Sequence, residues 1–173
     1  MRRVVVLGTT GAGKSTLAGR LAVAIGAEHV ELDGFNHGPN WTPRPEFAAD
    51  VADVLTRPGW VVDGNYIERV AETLWPRADT VIWLDLPLRV ILPRIVRRTA
   101  GRVRARTELW NGNRESWSAL TVLLPWAVRS QRRHRAELPS RLAELERAGV
   151  RVFRLSSAAA VDRWLAESIP WVK

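Results

Sequence analysis

Glycines, a lysine and four hydroxyl side chains are closely spaced in the segment GTTGAGKST, residues 8–16. The spacing matches G-x-x-x-x-G-K-[ST], the pattern of loops whose backbone N–H groups enclose phosphate oxygens. In such a loop Lys14 reaches the outer phosphates, Ser15 binds Mg²⁺, and Thr16 bonds the phosphate nearest the following helix. The other predicted phosphate-contacting residues are Gly8, Thr9, Gly11, Ala12 and Gly13.

The segments on either side favour a functional loop over a glycine turn without a ligand. The apolar run 3–7 reads as a buried parallel strand, and Lys14–Ile25 has the apolar spacing of a helix that ends at Gly26. A strand, a glycine loop and a helix in this order present the helix N-terminus to an anion.

Three aspartates follow predicted strands, at residues 29–32, 60–62 and 80–84. Because the carboxyl ends of parallel strands meet at one edge of a sheet, we expect these aspartates to lie near the phosphate loop. Asp33 is predicted to orient or deprotonate a phosphate acceptor or to hold the metal, and Asp63 to support the metal through water. The alternative is that each caps the helix after it. Asp85 is predicted to be a turn or cap residue.

Strands and helices alternate along the whole chain. The remaining predicted helices cover residues 46–56, 88–98, 116–135, 138–148 and 158–168, and a fifth strand covers 150–155. This alternation indicates a parallel sheet covered on both faces. We predict one domain over residues 1–173 with the three-layer α/β/α P-loop NTPase fold. The strand order expected for its five-stranded parallel sheet, 2-3-1-4-5, goes beyond this alternation and belongs to the kinase hypothesis that the family resemblance given below supports.

The composition excludes several classes of site. The chain has 173 residues and no cysteine, so disulfides, thiolate metal sites and cysteine nucleophiles are excluded. No apolar run approaches the length of a membrane span, and the apolar part of the N-terminal segment is too short for a signal peptide. We therefore expect a cytoplasmic protein with no membrane partner.

The charge balance favours anionic ligands. The net charge is +8, and of 26 basic residues only Lys14 and Lys173 are lysines. The run RSQRRHR, residues 129–135, is interpreted as a solvated helix face with His134 on the surface. Contact with nucleic acid, or with phosphate in the site, is the alternative for this run.

Two later segments resemble segments of adenylate kinases. VVDGNY is similar to the segment in which one of their strands ends in Asp-Gly-Phe-Pro. VIWLDLPLRVILPRIVRR is similar to their next strand, the turn after it and the helix that carries an Arg-x-x-x-Arg pair. The resemblance implies ATP as donor, with Arg94 near the adenine and Arg98 on the phosphates during transfer. It also implies an arginine-bearing lid at about 99–115 that includes Arg102, and it places Ser156 near the base.

Most of the chain is similar to small bacterial adenylate-kinase-like proteins, a group also called DNA topology modulation proteins. The shared segments are ELDGFNH, WVVDGNY, WLDLP and LWNGNRES. The chain departs from adenylate kinases in having Gly-Lys-Ser-Thr in the phosphate loop and no Pro-Arg after Asp63-Gly64. The acceptor is therefore left open.

An acceptor-binding loop is predicted at about residues 33–58. Besides Asp33, the candidate acceptor contacts are His37, Trp41, Arg44 and Asn65. The alternative for His37 is a structural role in the loop. An indole at Trp41, Trp110 or Trp117 would stack on a planar substrate or pack at a hinge. The tryptophans predicted in the core are Trp60, Trp83 and Trp164.

The main functional hypothesis is an ATP- and Mg²⁺-dependent kinase that phosphorylates a nucleotide, a nucleoside or another small hydroxyl compound. The first alternative is a nucleic-acid-associated NTPase, which the basic charge favours. The second is a nucleotide-binding regulatory protein without transfer activity. A monomer is expected, with a homodimer as the alternative.

Overall fold

The computed structural model describes residues 1–64 and 66–169, without the side chains of 67 and 68, and centres on one parallel sheet. Its strands are β1 (Arg3–Gly8), β2 (Glu28–Glu31), β3 (Trp60–Asp63), β4 (Thr80–Leu84) and β5 (Arg151–Leu155). They lie in the order β2-β3-β1-β4-β5, with each neighbouring pair parallel. The predicted strand order is confirmed.

Helices cover both faces of the sheet. They are α1 (Lys14–Ile25), α2 (Leu32–Asn36), α3 (Phe47–Val54), α4 (Ala71–Leu74), α5 (Leu88–Arg104), α6 (Ala119–Arg147) and α7 (Ala158–Ser168). Side chains of β1 alternate between the faces: Val4 and Val6 pack with α1 and α7, whereas Val5 and Leu7 pack with α3, α4 and α6. No helix in the described ranges is long and apolar enough to span a membrane.

The register of the sheet brings the candidate site together. Val6 of β1 aligns with Asp63 of β3, and Asp63 aligns with Glu31 of β2. On the other side of β1, Gly8 aligns with Leu84. Two acidic strand ends therefore lie beside the start of the phosphate loop.

Two predicted helix boundaries were wrong. Helix α5 continues to Arg104, six residues past its predicted end, and α6 is one 29-residue helix where two were predicted. Pro139 lies inside α6, where it removes one backbone hydrogen bond. Burial of Ala127 on one side of Pro139 and of Leu142 on the other holds both halves of α6 against the core and offsets this loss.

The basic run 129–135 is not simply a solvated face, which corrects the prediction. Gln131 is buried and donates to the carbonyl of Leu86, and Arg135 Nε donates to Asp85 Oδ1 at 2.7 Å. His134 is half-buried, and burial lowers its pKa to about 4, so its ring is neutral at physiological pH.

Asp85 joins three elements of the fold rather than capping a turn alone. Its side chain is 3% exposed, and its second oxygen accepts from Arg154 Nε of β5 at 3.1 Å. Both arginines are themselves about half exposed. The ion pairs therefore fix α6 and β5 to the end of β4.

We predict that the double substitution Arg135→Met with Arg154→Met lowers the free energy of unfolding by about 3–5 kcal/mol, because it leaves a buried carboxylate without a cation. Asp85→Asn should cost less, because the two arginines can then be hydrated. Urea unfolding measures both, with the exposed Arg147→Met as control. A larger loss for Asp85→Asn than for the double variant would contradict the prediction.

Candidate active site

The loop between β1 and α1 presents backbone donors to a cavity. Gly13 has φ 97°, in the left-handed region, and the next residue, Lys14, begins α1. No side chain caps the start of this helix, so its first N–H groups remain for a ligand. This arrangement suits a phosphate, which the helix N-terminus attracts.

Lys14 lies beneath this loop and is buried. Its ammonium donates to the carbonyl of Thr9 at 3.3 Å and has two further protons to donate. Burial lowers the pKa of Lys14, whereas the nearby charges of Asp33 and Asp63 act to raise it. The cation therefore lies between the loop and the acidic strand ends.

Two carboxylates converge on one hydroxyl. Ser15 Oγ lies 2.9 Å from Glu31 Oε1 and 3.1 Å from Asp63 Oδ1. His29 Nε2 bonds Asp63 Oδ2 at 2.7 Å, and this hydrogen bond raises the pKa of His29. Trp110 Nε1 donates to Glu31 Oε2 at 3.0 Å. Each carboxylate is thus held by a second group from another element.

The oxygen atoms around Ser15 are suitable ligands for Mg²⁺. One hydroxyl proton can satisfy only one of the two carboxylates, so a cation at this point would relieve their repulsion. The hydroxyl and carboxylate oxygens are the hard ligands that Mg²⁺ prefers, and this ion keeps several waters and phosphate oxygens in its shell. Within the described ranges, no group of three or more His, Cys, Asp or Glu side chains could hold a metal. The protein would supply few ligands.

Asp33 is in the first turn of α2, two residues past the end of β2. Burial raises its pKa above the usual value, and the charge of Lys14 acts in the opposite direction. Burial thus makes the ionised carboxylate of Asp33 less stable, whereas a residue that only caps a helix could stay in contact with water.

Four arginines of α5 face the phosphate-loop cavity: Arg94, Arg97, Arg98 and Arg102. Arg102 Nη1 lies 2.6 Å from Glu115 Oε1, and Arg98 Nη2 lies 3.9 Å from the same oxygen. Burial lowers the pKa of Arg98, to which the Arg102 charge contributes. Glu115 therefore offsets part of the charge of this pair.

The predicted lid at 99–115 spans two parts of the structure. Residues up to Arg104 belong to α5, and Asn113 in the following segment is bonded to the predicted acceptor loop. Asn113 accepts from the Trp41 N–H at 3.0 Å and donates to the Gly38 carbonyl at 2.8 Å. Trp110 packs over Gly34, where a Cβ would lie 2.8 Å from the indole. Residues 34–41 and residues 110–113 are therefore held together, and we call this pair of loops the clasp.

The site consists of two joined cavities. The first, of about 520 Å³, lies along the phosphate loop, and the second, of about 600 Å³, lies under the two loops. The residues that line both are Thr10, Ser15, Glu31, Asp33, Arg98 and Arg102. A group passing from one cavity to the other would pass this set of acids and arginines.

An aromatic wall, defined by His37, Trp41, Tyr66 and Trp110, lines the second cavity. His37 is central: the Trp110 ring stacks against it with a centroid distance of 6.2 Å and an interplanar angle of 27°, and Trp41 meets it edge-on with a centroid distance of 5.2 Å. Tyr66 Oη bonds His37 Nε2 at 2.9 Å, and burial raises the pKa of Tyr66 to about 12. The phenol is therefore neutral at physiological pH.

Arg44 and Ser156, two of the predicted site residues, do not line either cavity. Arg44 pairs with Asp50 at 2.8 Å. Ser156 is exposed outside the lining, where the first turn of α7 forms the rim instead. Asn65 lies outside the described residues.

Sequence reasoning missed several residues of the site. Glu31 ends β2 two residues before Asp33, and this position at a strand end was the available signal. Tyr66 and His29 reach the site through long-range packing, for which the sequence carries no local pattern. The core tryptophans Trp60, Trp83 and Trp164 are buried as predicted, whereas Trp117 is exposed and does not line the second cavity.

Solved structures share this fold. An unliganded sugar kinase from a Janibacter species is 20% identical over 98% of this chain and 95% of its own, with a TM-score of 0.58. A gluconokinase from Sinorhizobium meliloti is 20% identical over 98% of this chain and 96% of its own, with a TM-score of 0.53. A shikimate kinase from Acinetobacter baumannii, bound to shikimate, is 22% identical over 98% of this chain and 91% of its own, also with a TM-score of 0.53. No protein-family model and no curated protein matches the chain.

The comparisons establish the architecture. The chain shares the α/β fold of these three structures. At 20–22% identity the likeness carries the fold alone, and it does not distinguish an adenylate-kinase-like subtype.

We predict that Asp33→Asn raises the thermal stability of the free protein at neutral pH while lowering turnover about 100-fold or more. The folded-state pKa of Asp33 lies above its unfolded value, so its ionised form costs stability at neutral pH and the cost disappears as pH falls. The difference in melting temperature from wild type should therefore shrink towards acid pH. The exposed Asp53→Asn, which lines neither cavity, is the control, and an Asp33→Asn variant less stable than wild type at pH 7 would contradict this.

We predict that Asp63→Asn raises the Mg²⁺ concentration needed for half-maximal nucleotide binding by about 10- to 100-fold. The amide would keep the volume of the side chain but lose the charge beside Ser15. Binding of a fluorescent ATP analogue, titrated with MgCl₂, measures this. The exposed Asp53→Asn is the control, and an unchanged Mg²⁺ requirement would exclude Asp63 from the metal site.

Proposed function

We propose that the protein is an ATP- and Mg²⁺-dependent kinase that transfers a phosphoryl group to the hydroxyl of a small molecule. One observation carries the proposal: the phosphate-loop cavity opens into a second cavity of similar size, and acids and arginines line both. A nucleotide sensor would need only the first cavity. A kinase needs a place for each substrate with the reacting atoms between them.

The donor side would be held by charge. The backbone donors at the start of α1 and the ammonium of Lys14 would bind the β- and γ-phosphates of ATP, with Arg94 at the rim. Ser15, Glu31 and Asp63 would hold Mg²⁺, which when bound neutralises charge on the phosphate oxygens. Arg98 and Arg102 lie where the transferred group would pass and would stabilise its charge.

The acceptor side would be governed by Asp33. Its carboxylate lines both cavities and would accept the proton of the attacking hydroxyl. Burial brings its pKa closer to working pH, which improves a general base. The names of the similar structures, sugar kinase, gluconokinase and shikimate kinase, support a small hydroxyl acceptor.

We predict that wild-type protein forms ADP from Mg·ATP faster when an acceptor from a panel of nucleoside monophosphates, nucleosides and hydroxyl metabolites is present. Lys14→Ala should lower this rate by about 100-fold or more, because it removes a cation from the transferred phosphate. Coupled ADP detection measures the rate, and the exposed Arg147→Ala is the matched control.

Addition of DNA and RNA to the same assay separates the alternatives. Stimulation of ADP formation by nucleic acid, with no response to small molecules, would replace the kinase proposal with a nucleic-acid-associated NTPase. Tight ATP binding with no response to any addition would replace it with a regulatory role. Arg135, one cation of the basic run, is already paired with Asp85, which weakens the nucleic-acid alternative.

A further inference from the structure

The second cavity has two apolar sides. One is the aromatic wall of His37, Trp41, Tyr66 and Trp110. The other is the first part of α6, which contributes Ala119, Val122, Leu123 and Trp126. Polar groups line the part that it shares with the phosphate-loop cavity, among them Ser15, Glu31 and Asp33. A ligand here would have an apolar body and a polar end.

Large apolar side chains are left exposed at this cavity. Val122 is 67% exposed, Trp126 44% and Trp41 38%, and all three line it. Exposed apolar groups that are gathered at a cleft mark a surface that a ligand covers. Trp117, 51% exposed, is close in sequence but is not part of the lining.

The charges of the cavity do not favour a carboxylated ligand. Three arginines line the cavity, Arg98, Arg102 and Arg114, and three acids line it as well, Glu31, Asp33 and Glu115. The cavity therefore has no excess of positive charge, and Arg98 and Arg102 already face the path of the transferred phosphoryl group. A carboxylated ligand would meet the acids without a cation of its own.

We infer that the phosphate acceptor is an uncharged hydroxyl compound built on a flat aromatic or heteroaromatic ring. The inference rests on the proposed function and narrows its acceptor class. The ring would lie between the aromatic wall and α6, with its hydroxyl directed to Asp33. Indole rings bind such flat bodies by stacking and by area burial.

The transfer step is balanced by groups already present. The acceptor oxygen forms a bond to the γ-phosphorus, and the bond from this phosphorus to the β,γ-bridging oxygen breaks. ADP leaves with that electron pair, and the hydroxyl proton passes to the Asp33 carboxylate.

The test compares ring acceptors with sugar acids of similar size. Adenosine, cytidine, thymidine and 3-pyridinemethanol are set against gluconate, shikimate and glycerol, with ADP formation and calorimetric binding measured for each. We expect at least one ring compound to exceed every non-ring compound in kcat/KM by about 100-fold. Trp41→Ala and Trp126→Ala should each raise its KM about tenfold with kcat little changed, whereas Trp117→Ala should leave both unchanged.

The outcomes separate the acceptor class from the kinase proposal. Phosphorylation of gluconate or shikimate in preference to every ring compound would overturn the acceptor class and leave the kinase standing. Binding of ring compounds that Trp41→Ala and Trp126→Ala weaken, with no ADP formed, would support the ligand class and overturn the kinase. Failure of all ring compounds both to bind and to raise ADP formation would overturn the inference.

Discussion

The site depends on negative charge that the sheet register gathers at one point. Glu31 and Asp63 align on neighbouring strands, and both carboxylates reach the hydroxyl of Ser15. Such a pair is stable only if cations and donors balance it. Lys14, His29 and the indole of Trp110 do so from three different elements, and the space beside Ser15 suits a metal. The phosphate loop, the strand ends and the clasp are therefore one electrostatic unit.

The arginines of α5 form a cluster of positive charge that an acidic side chain offsets in turn. Arg98 and Arg102, one turn apart on the helix, carry like charges on one face, and Glu115 lies against both and offsets part of their charge. Thr99 also donates to Glu115, at 2.8 Å, so this acid is fixed in place. The cations are thus prearranged before a phosphate arrives, which is the form of electrostatic stabilisation that costs least during transfer.

The clasp over the second cavity is built from two similar turns. Each is a single 3₁₀ turn with an asparagine in the left-handed region, Asn40 at φ 56° and Asn111 at φ 56°. Asparagine tolerates this conformation better than other non-glycine residues, which is why two short loops can turn so tightly. Asn113 then ties one turn to the other through the backbone. This closure holds Trp41 and Trp110 in the aromatic wall of the acceptor cavity.

The sequence by itself determined the phosphate loop and the α/β class, because these follow from residue spacing and from the alternation of strands and helices. The strand order was predicted correctly through the kinase hypothesis, since alternation alone does not fix which strands are neighbours. It also indicated Asp33 and Asp63, which come at strand ends. Glu31, Tyr66 and the continuity of α6 were decided only by the tertiary structure. Whether a carboxylate meets a hydroxyl 16 residues away, or a proline is carried within a helix, depends on sheet register and on burial against distant side chains. Local patterns do not contain those contacts.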